Sequence, residues 1–152
     1  MIQNKRLHTP QGELYTALIR DTFRLYGRLI HEGDRLSSQV GLTSARWQVL
    51  GELKSSSYPL TVPSLARNLG LQRQSVQRLV DVLVHDGFVR LEENPHHRRA
   101  KLVVLTDRGG EVFDELAVFQ AEWANEVADG LDIETFKTAL RLIQTLRVRL
   151  GD

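Results

Sequence analysis

Apolar side chains recur at helical intervals along most of this chain. From Gln11 to Val40 the stripe is Leu14, Leu18, Thr22, Leu25, Leu29 and Leu36, while Arg20, Arg24 and Arg28 line another face at i, i+4. Gly41 offers a stop. Thr43 is a good cap for a second helix that carries Trp47, Leu50 and Leu53. The run from Ser55 to Pro59 reads as a loop. A short third helix follows, capped by Thr61, with Pro63 in its first turn and Leu65, Ala66 and Leu69 as its apolar face. Only Gly70 and Leu71 separate it from a fourth helix that starts near Gln72. There Val76, Leu79, Val80, Leu83 and Val84 form the apolar stripe, leaving Arg73, Gln74, Gln77, Arg78 and Asp81 on the other face. Two helices joined by so short a Gly-containing turn predict a helix-turn-helix.

The period changes after Asp86-Gly87. Phe88 to Glu92 alternates like a strand, Glu93 to Arg99 is polar with a bend at Asn94-Pro95, and Ala100 to Leu105 is again strand-like. This predicts a β-hairpin with a charged tip, a wing. Thr106 then caps a long helix to about Asp129 carrying Val112, Leu116, Phe119, Trp123 and Val127, stopped by Gly130. Asp132 caps a last helix with Phe136, Leu140, Ile143, Leu146 and Leu150 on its stripe. The fold class is therefore mainly α with a small β-hairpin wing.

Composition narrows the class by exclusion. With 152 residues and 41% hydrophobic content, the chain can bury a core without disulfides or metal. It has no cysteine, which excludes thiolate metal sites and thiol redox chemistry. The longest aliphatic run, Leu102 to Leu105, is far short of a membrane span, and Met1 to Pro10 holds no apolar signal core. A cytoplasmic protein with no membrane partner is expected. The net charge of +1 hides a strong segregation. Residues 62–101 carry 7 basic and 4 acidic groups, whereas residues 102–134 carry 1 and 9. Of the 20 basic residues 16 are Arg, whose forked guanidinium suits phosphates and base edges. A basic middle followed by an acidic stretch points to a polyanionic partner for the middle alone.

The order of elements and several stretches together resemble the MarR family of bacterial winged-helix regulators. The resemblance spans roughly Gln11 to Leu150. Its carriers are the run Leu42 to Leu50, the Leu65 to Leu71 segment, Ser75 to Val80, the His85 to Val89 exit, and above all Asn94-Pro95-His96-His97-Arg98-Arg99-Ala100-Lys101-Leu102 with Leu105 to Gly109 behind it. The resemblance implies one MarR-like domain over 1–152, with a DNA-binding lobe at 42–106 and dimerisation helices at 11–40 and 107–150. It implies a homodimer that binds double-stranded DNA and regulates transcription, as a repressor relieved by a small aromatic effector. Two positions depart from the family. His97 stands where an acidic residue usually holds a wing arginine by an ion pair. Gln72 replaces a short capping residue, so it is free to face DNA.

On this reading the recognition helix presents Gln72, Arg73, Gln74, Ser75, Gln77 and Arg78. Gln can pair with adenine and Arg with guanine in the major groove, while Ser75 and Arg78 suit phosphates. The wing presents His96, His97, Arg98, Arg99 and Lys101, with an arginine expected in the minor groove. Arg67 is a further phosphate neighbour. Tyr26, Arg46 and Trp47 are candidate effector-pocket residues, although core or dimer packing is the plainer reading of the aromatic pair. The histidines lack a third ligand at metal spacing, and no phosphate loop or nucleophile pattern occurs, so no metal, no cofactor and no enzymatic activity are expected. Two rivals are a winged-helix protein-interaction module that does not bind DNA and a metal-dependent regulator.

Overall fold

The computed structural model describes residues 8–97 and 99–151. In chain order it contains α1 (Pro10–Ser37), a 3-10 turn (Ser38–Val40), α2 (Ser44–Ser55), β1 (Leu60–Thr61), α3 (Val62–Leu69), α4 (Arg73–His85), β2 (Val89–Glu92), β3 (Leu102–Leu105), α5 (Asp107–Ala128) and α6 (Ile133–Leu150). The chain divides into two compact units, Met1–Leu116 and Ala117–Asp152, and α5 runs through the boundary.

In the first unit α2, α3 and α4 pack on one another and on the sheet. Val49 and Leu50 of α2, Leu65 of α3 and Val76, Val80 and Leu83 of α4 meet Leu60, Val89 and Val103 from the strands, and all are essentially buried. Each contributes about 1.5–3 kcal/mol by leaving water. The hairpin strands are shorter than the sequence pattern suggests, and β1 adds a third strand that the pattern does not announce. The antiparallel order is β1-β3-β2, with Leu60 opposite Val103 and Leu91 opposite the same residue on the other side. The base of the wing is thus anchored along both edges of β3.

Local capping chemistry sets most helix ends. The Thr43 hydroxyl accepts from Arg46 N and the Thr61 hydroxyl from Ser64 N. Gly70, with φ 65°, closes α3 in the left-handed region, which lets α4 begin three residues later. Ser44 N donates to Asp34 Oδ1 at 2.7 Å, so a carboxylate from α1 sits at the positive end of α2. Thr106 joins three segments: its hydroxyl donates to the carbonyls of Gly87 (2.7 Å) and Phe88 (3.0 Å) and accepts from Gly109 N (3.1 Å). A Cβ on Gly109 would collide with the Phe88 carbonyl oxygen, so a side chain there would push α5 off the sheet.

The first-unit helix α1 is long and continuous, and only part of its stripe is covered. Leu36 is buried, whereas Leu14, Phe23, Leu25 and Leu29 are exposed. In the second unit α6 buries no residue and exposes Leu140, Ile143, Val148 and Leu150. Its cap is the expected one: Asp132 Oδ2 accepts from Thr135 N at 2.8 Å, and this bond holds the Asp132 carboxyl below its ordinary value. Among the described residues no helix is long and apolar enough to cross a membrane, and no group of three or more His, Asp or Glu side chains could hold a metal ion.

Candidate nucleic-acid interface

The face of α4 opposite the core is built from the residues the sequence singles out. Gln72, Arg73, Gln74, Ser75, Gln77 and Arg78 are all exposed, while Val76, Val80 and Leu83 on the inner face are fully buried. Burial of one face therefore fixes the direction of the other. Gln72 is the N-cap of α4 but makes no side-chain capping bond. The first turn of the helix keeps N–H groups available at its positive end, an arrangement suited to an anion.

Across from this helix lies the wing. Asn94 organises its tip from both sides of the turn. Its Nδ2 donates to the Ala100 carbonyl at 2.9 Å, and its Oδ1 accepts from His96 N at 3.0 Å. Backbone bonds from His97 N to Asn94 O and from Ala100 N to His97 O complete the turn. His96, His97, Arg99 and Lys101 are exposed. Arg98 lies outside the described residues. At the base, Arg90 is paired with Glu92 at 2.8 Å and is already neutralised.

Helix and wing enclose an open cleft of about 550 Å³. Arg73 and Gln77 come from α4, and His97, Arg99 and Lys101 from the wing; Val62, Pro63 and Leu91 add apolar surface. Three cations thus converge on this cleft, and no carboxylate is among its described lining residues. Such a cleft can donate hydrogen bonds to phosphates and base edges but offers few acceptors. One polar contact along α4 goes beyond the sequence reading: Gln77 Nε2 donates to Asp81 Oδ1 at 2.8 Å. The i, i+4 spacing of Gln and Asp signals such a bond, but from the sequence Gln77 reads as a base contact and Asp81 only as part of the outward face.

The structure does not gather the three effector-pocket candidates into one contact set. The Arg46 guanidinium donates to Asp86 Oδ2 at 3.1 Å and to the Thr43 hydroxyl at 3.3 Å, so it braces α2 against the end of α4. Trp47 is half-buried on α2, and Tyr26 is exposed on α1. Arg67 is exposed on α3.

Comparison with known proteins agrees with this architecture. A model of the MarR family matches residues 40–100, which run from just before α2 to the wing turn ahead of β3. The Mycobacterium tuberculosis (H37Rv) protein Rv2011c is 40% identical over 115 residues, covering 76% of this chain and 79% of that one. BadR, a transcriptional activatory protein of Rhodopseudomonas palustris, is 35% identical over 100 residues, covering 62% of this chain and 57% of its own. Among solved structures, Sco5413, a MarR-family regulator from Streptomyces coelicolor, is 28% identical with a TM-score of 0.75 over 91% of this chain and 96% of that one. CouR from Rhodococcus jostii RHA1, solved with p-coumaroyl-CoA, shares the fold at 20% identity, with a TM-score of 0.73 over 81% and 86% of the two chains. With an aligned relative spanning most of its length, the winged-helix order and the matched family model, this chain belongs to the MarR family, whose members are transcriptional regulators and not enzymes.

Proposed function

We propose that this protein is a cytoplasmic homodimer that binds double-stranded DNA and represses transcription. Helix α4 enters the major groove and the wing reaches the neighbouring minor groove or backbone. The observation that carries the reading is the cleft between α4 and the wing, where Arg73, Arg99 and Lys101 converge without a lining carboxylate. Gln72, Arg73, Gln74 and Gln77 face bases; Ser75, Arg78, Arg67 and Lys101 face phosphates; His96, His97, Arg98 and Arg99 form the reaching tip.

Dimerisation is supported by apolar surface that a lone chain leaves in water. Leu14 is 73% and Leu25 58% exposed on α1, and Leu140 56% and Ile143 53% on α6. Side chains of this kind at helical spacing call for a cover, and a second copy supplies it with two-fold symmetry. A two-fold dimer presents two recognition helices to half-sites roughly 34–36 Å apart, so a pseudo-palindromic site follows. A small aromatic effector that favours a spacing unfit for DNA would relieve repression, with Tyr26, Arg46 and Trp47 as pocket candidates. CouR's complex with an aromatic thioester supports an effector of that class.

An electrophoretic titration of the protein against its own upstream DNA at two salt concentrations tests the reading. A shift that weakens steeply with salt is expected. Absence of any shift, or a monomer in sedimentation both free and on DNA, overturns it. A second reading, activation, is favoured by the similarity to BadR. A reporter driven by the bound upstream region separates the two by whether deletion of the gene raises or lowers output.

A further inference from the structure

We propose that Gln77 reads an adenine, and that Asp81, one turn further along α4, is the positioning residue that sets the Gln77 amide for that base. The inference rests on the DNA-binding reading above.

A carboxylate accepts hydrogen bonds and does not donate them. The 2.8 Å contact with Asp81 Oδ1 therefore requires the nitrogen, and not the oxygen, of the Gln77 amide to face Asp81. The amide nitrogen carries two hydrogens. When the hydrogen pointing away from Oε1 bonds Asp81, the other is left beside Oε1, an adjacent donor and acceptor. That pair matches adenine in the major groove, where N7 accepts and the N6 amino group donates. Guanine presents acceptors at both N7 and O6. Held by Asp81, Gln77 would set Oε1 against guanine O6, two acceptors with no proton between them. An unrestrained amide escapes this conflict by swinging Oε1 away from the base and presenting its NH₂ group alone to N7 and O6. Asp81 thus converts a tolerant side chain into a selective one.

The surroundings suit this role. Gln77 is exposed and lines the cleft with Arg73, one turn earlier on α4. Asp81 is exposed and does not line the cleft, so it can act on the base through Gln77. Its negative charge opposes the approach of phosphates and weakens binding to every duplex. The structure therefore assigns Asp81 two effects of opposite sign. Removing its charge raises general affinity, and removing its acceptor lowers discrimination. A residue serving only as surface charge would change affinity for all sequences by the same factor.

The test uses the full-length protein and a randomised double-stranded oligonucleotide library at fixed salt. The position at which Gln77→Ala loses base preference identifies the contact. At that position the wild type should prefer A over G by about tenfold or more. Asp81→Asn offers a donor as well as an acceptor, and Asp81→Ala offers neither. Both variants should reduce the preference to within about threefold at this position alone, with equal or higher affinity for other duplexes. Asp81→Glu restores a carboxylate and should restore most of the preference. Circular dichroism melts identify any variant that has unfolded, and the remaining loss variant then decides. Enrichment of no sequence by the wild type overturns the DNA-binding reading and this proposal with it. Enrichment in which the Gln77 position is not A·T, or in which both loss variants keep the A-over-G ratio, overturns this proposal alone.

Discussion

Replacing Arg46 with alanine should destabilise the protein more than replacing Asp86, the carboxylate it bonds. The pair spans 40 positions of sequence, is 3.1 Å long, and has side chains 18% and 31% exposed. Fully exposed pairs contribute about 0.2–1 kcal/mol, and hydrogen bonds to charged groups about 1.5–3 kcal/mol. At this partial burial, after the rotamer entropy of a long side chain is subtracted, about 1–2 kcal/mol remains. The asymmetry comes from where Asp86 sits. It is the C-cap of α4, where the helix end is negative and a carboxylate is disfavoured by about 0.3–1 kcal/mol. Arg46 masks that repulsion. Arg46→Ala loses the pair and uncovers the repulsion, a total of about 1.5–2.5 kcal/mol. Asp86→Ala loses the pair but also the repulsion, about 0.5–1.5 kcal/mol. Urea unfolding at fixed protein concentration measures both single variants and the double variant. A coupling energy of about 1 kcal/mol is expected. Asp86→Ala costing more than Arg46→Ala, or a coupling below about 0.3 kcal/mol, would refute the argument.

Gly109→Ala should cost about 3 kcal/mol or more, because the added methyl meets the Phe88 carbonyl and also lies 3.0 Å from Leu105 Cδ1; an unchanged urea midpoint would contradict this. Asp132 is held below its ordinary value chiefly by the bond from Thr135 N, so its ionised form stabilises the fold at neutral pH, and that contribution disappears as pH falls through the lowered value. The gap in melting temperature between wild type and Asp132→Ala should therefore narrow on acidification from about pH 6 to about pH 3, as scanning calorimetry would register. On DNA, Arg73→Ala should cost about 1–3 kcal/mol and relax sequence preference. Arg78→Ala should weaken all sequences alike and flatten the slope of log affinity against log salt by about one. A reversal of these two patterns would exchange the roles of the arginines.

Much of the helical framework was legible because helix ends are local chemistry. Thr43, Thr61 and Asp132 announce caps within three residues of their partners, and Gly70 announces its own conformation. The outward set on α4 was legible because the apolar stripe fixes the opposite face. β1 was not. Two residues are too few to display an alternating period, and they form a strand only because β3 offers a free edge. The Arg46–Asp86 brace was invisible for a different reason: nothing local links positions 40 apart. The stripes of α1 and α6 told that these segments are helical, but not what covers them, since amphipathicity specifies a face and not its partner. The apolar part of the cleft, Val62 and Pro63, arises only from the tertiary placement of α3 beside the wing.

The Asn94 turn has an evolutionary consequence. Among the described residues the turn is held by one side-chain amide together with backbone bonds, and those bonds do not use the side chains of His96, His97 or Arg99. A lineage can therefore rewrite the tip, exchanging imidazole for carboxylate or arginine for lysine, while Asn94 keeps the loop in shape. His97, where the resemblance leads to the expectation of an acidic residue, would be such an exchange. On the proposed DNA-binding reading the hairpin is a fixed bracket with interchangeable contacts, so its target preference would drift faster than its architecture.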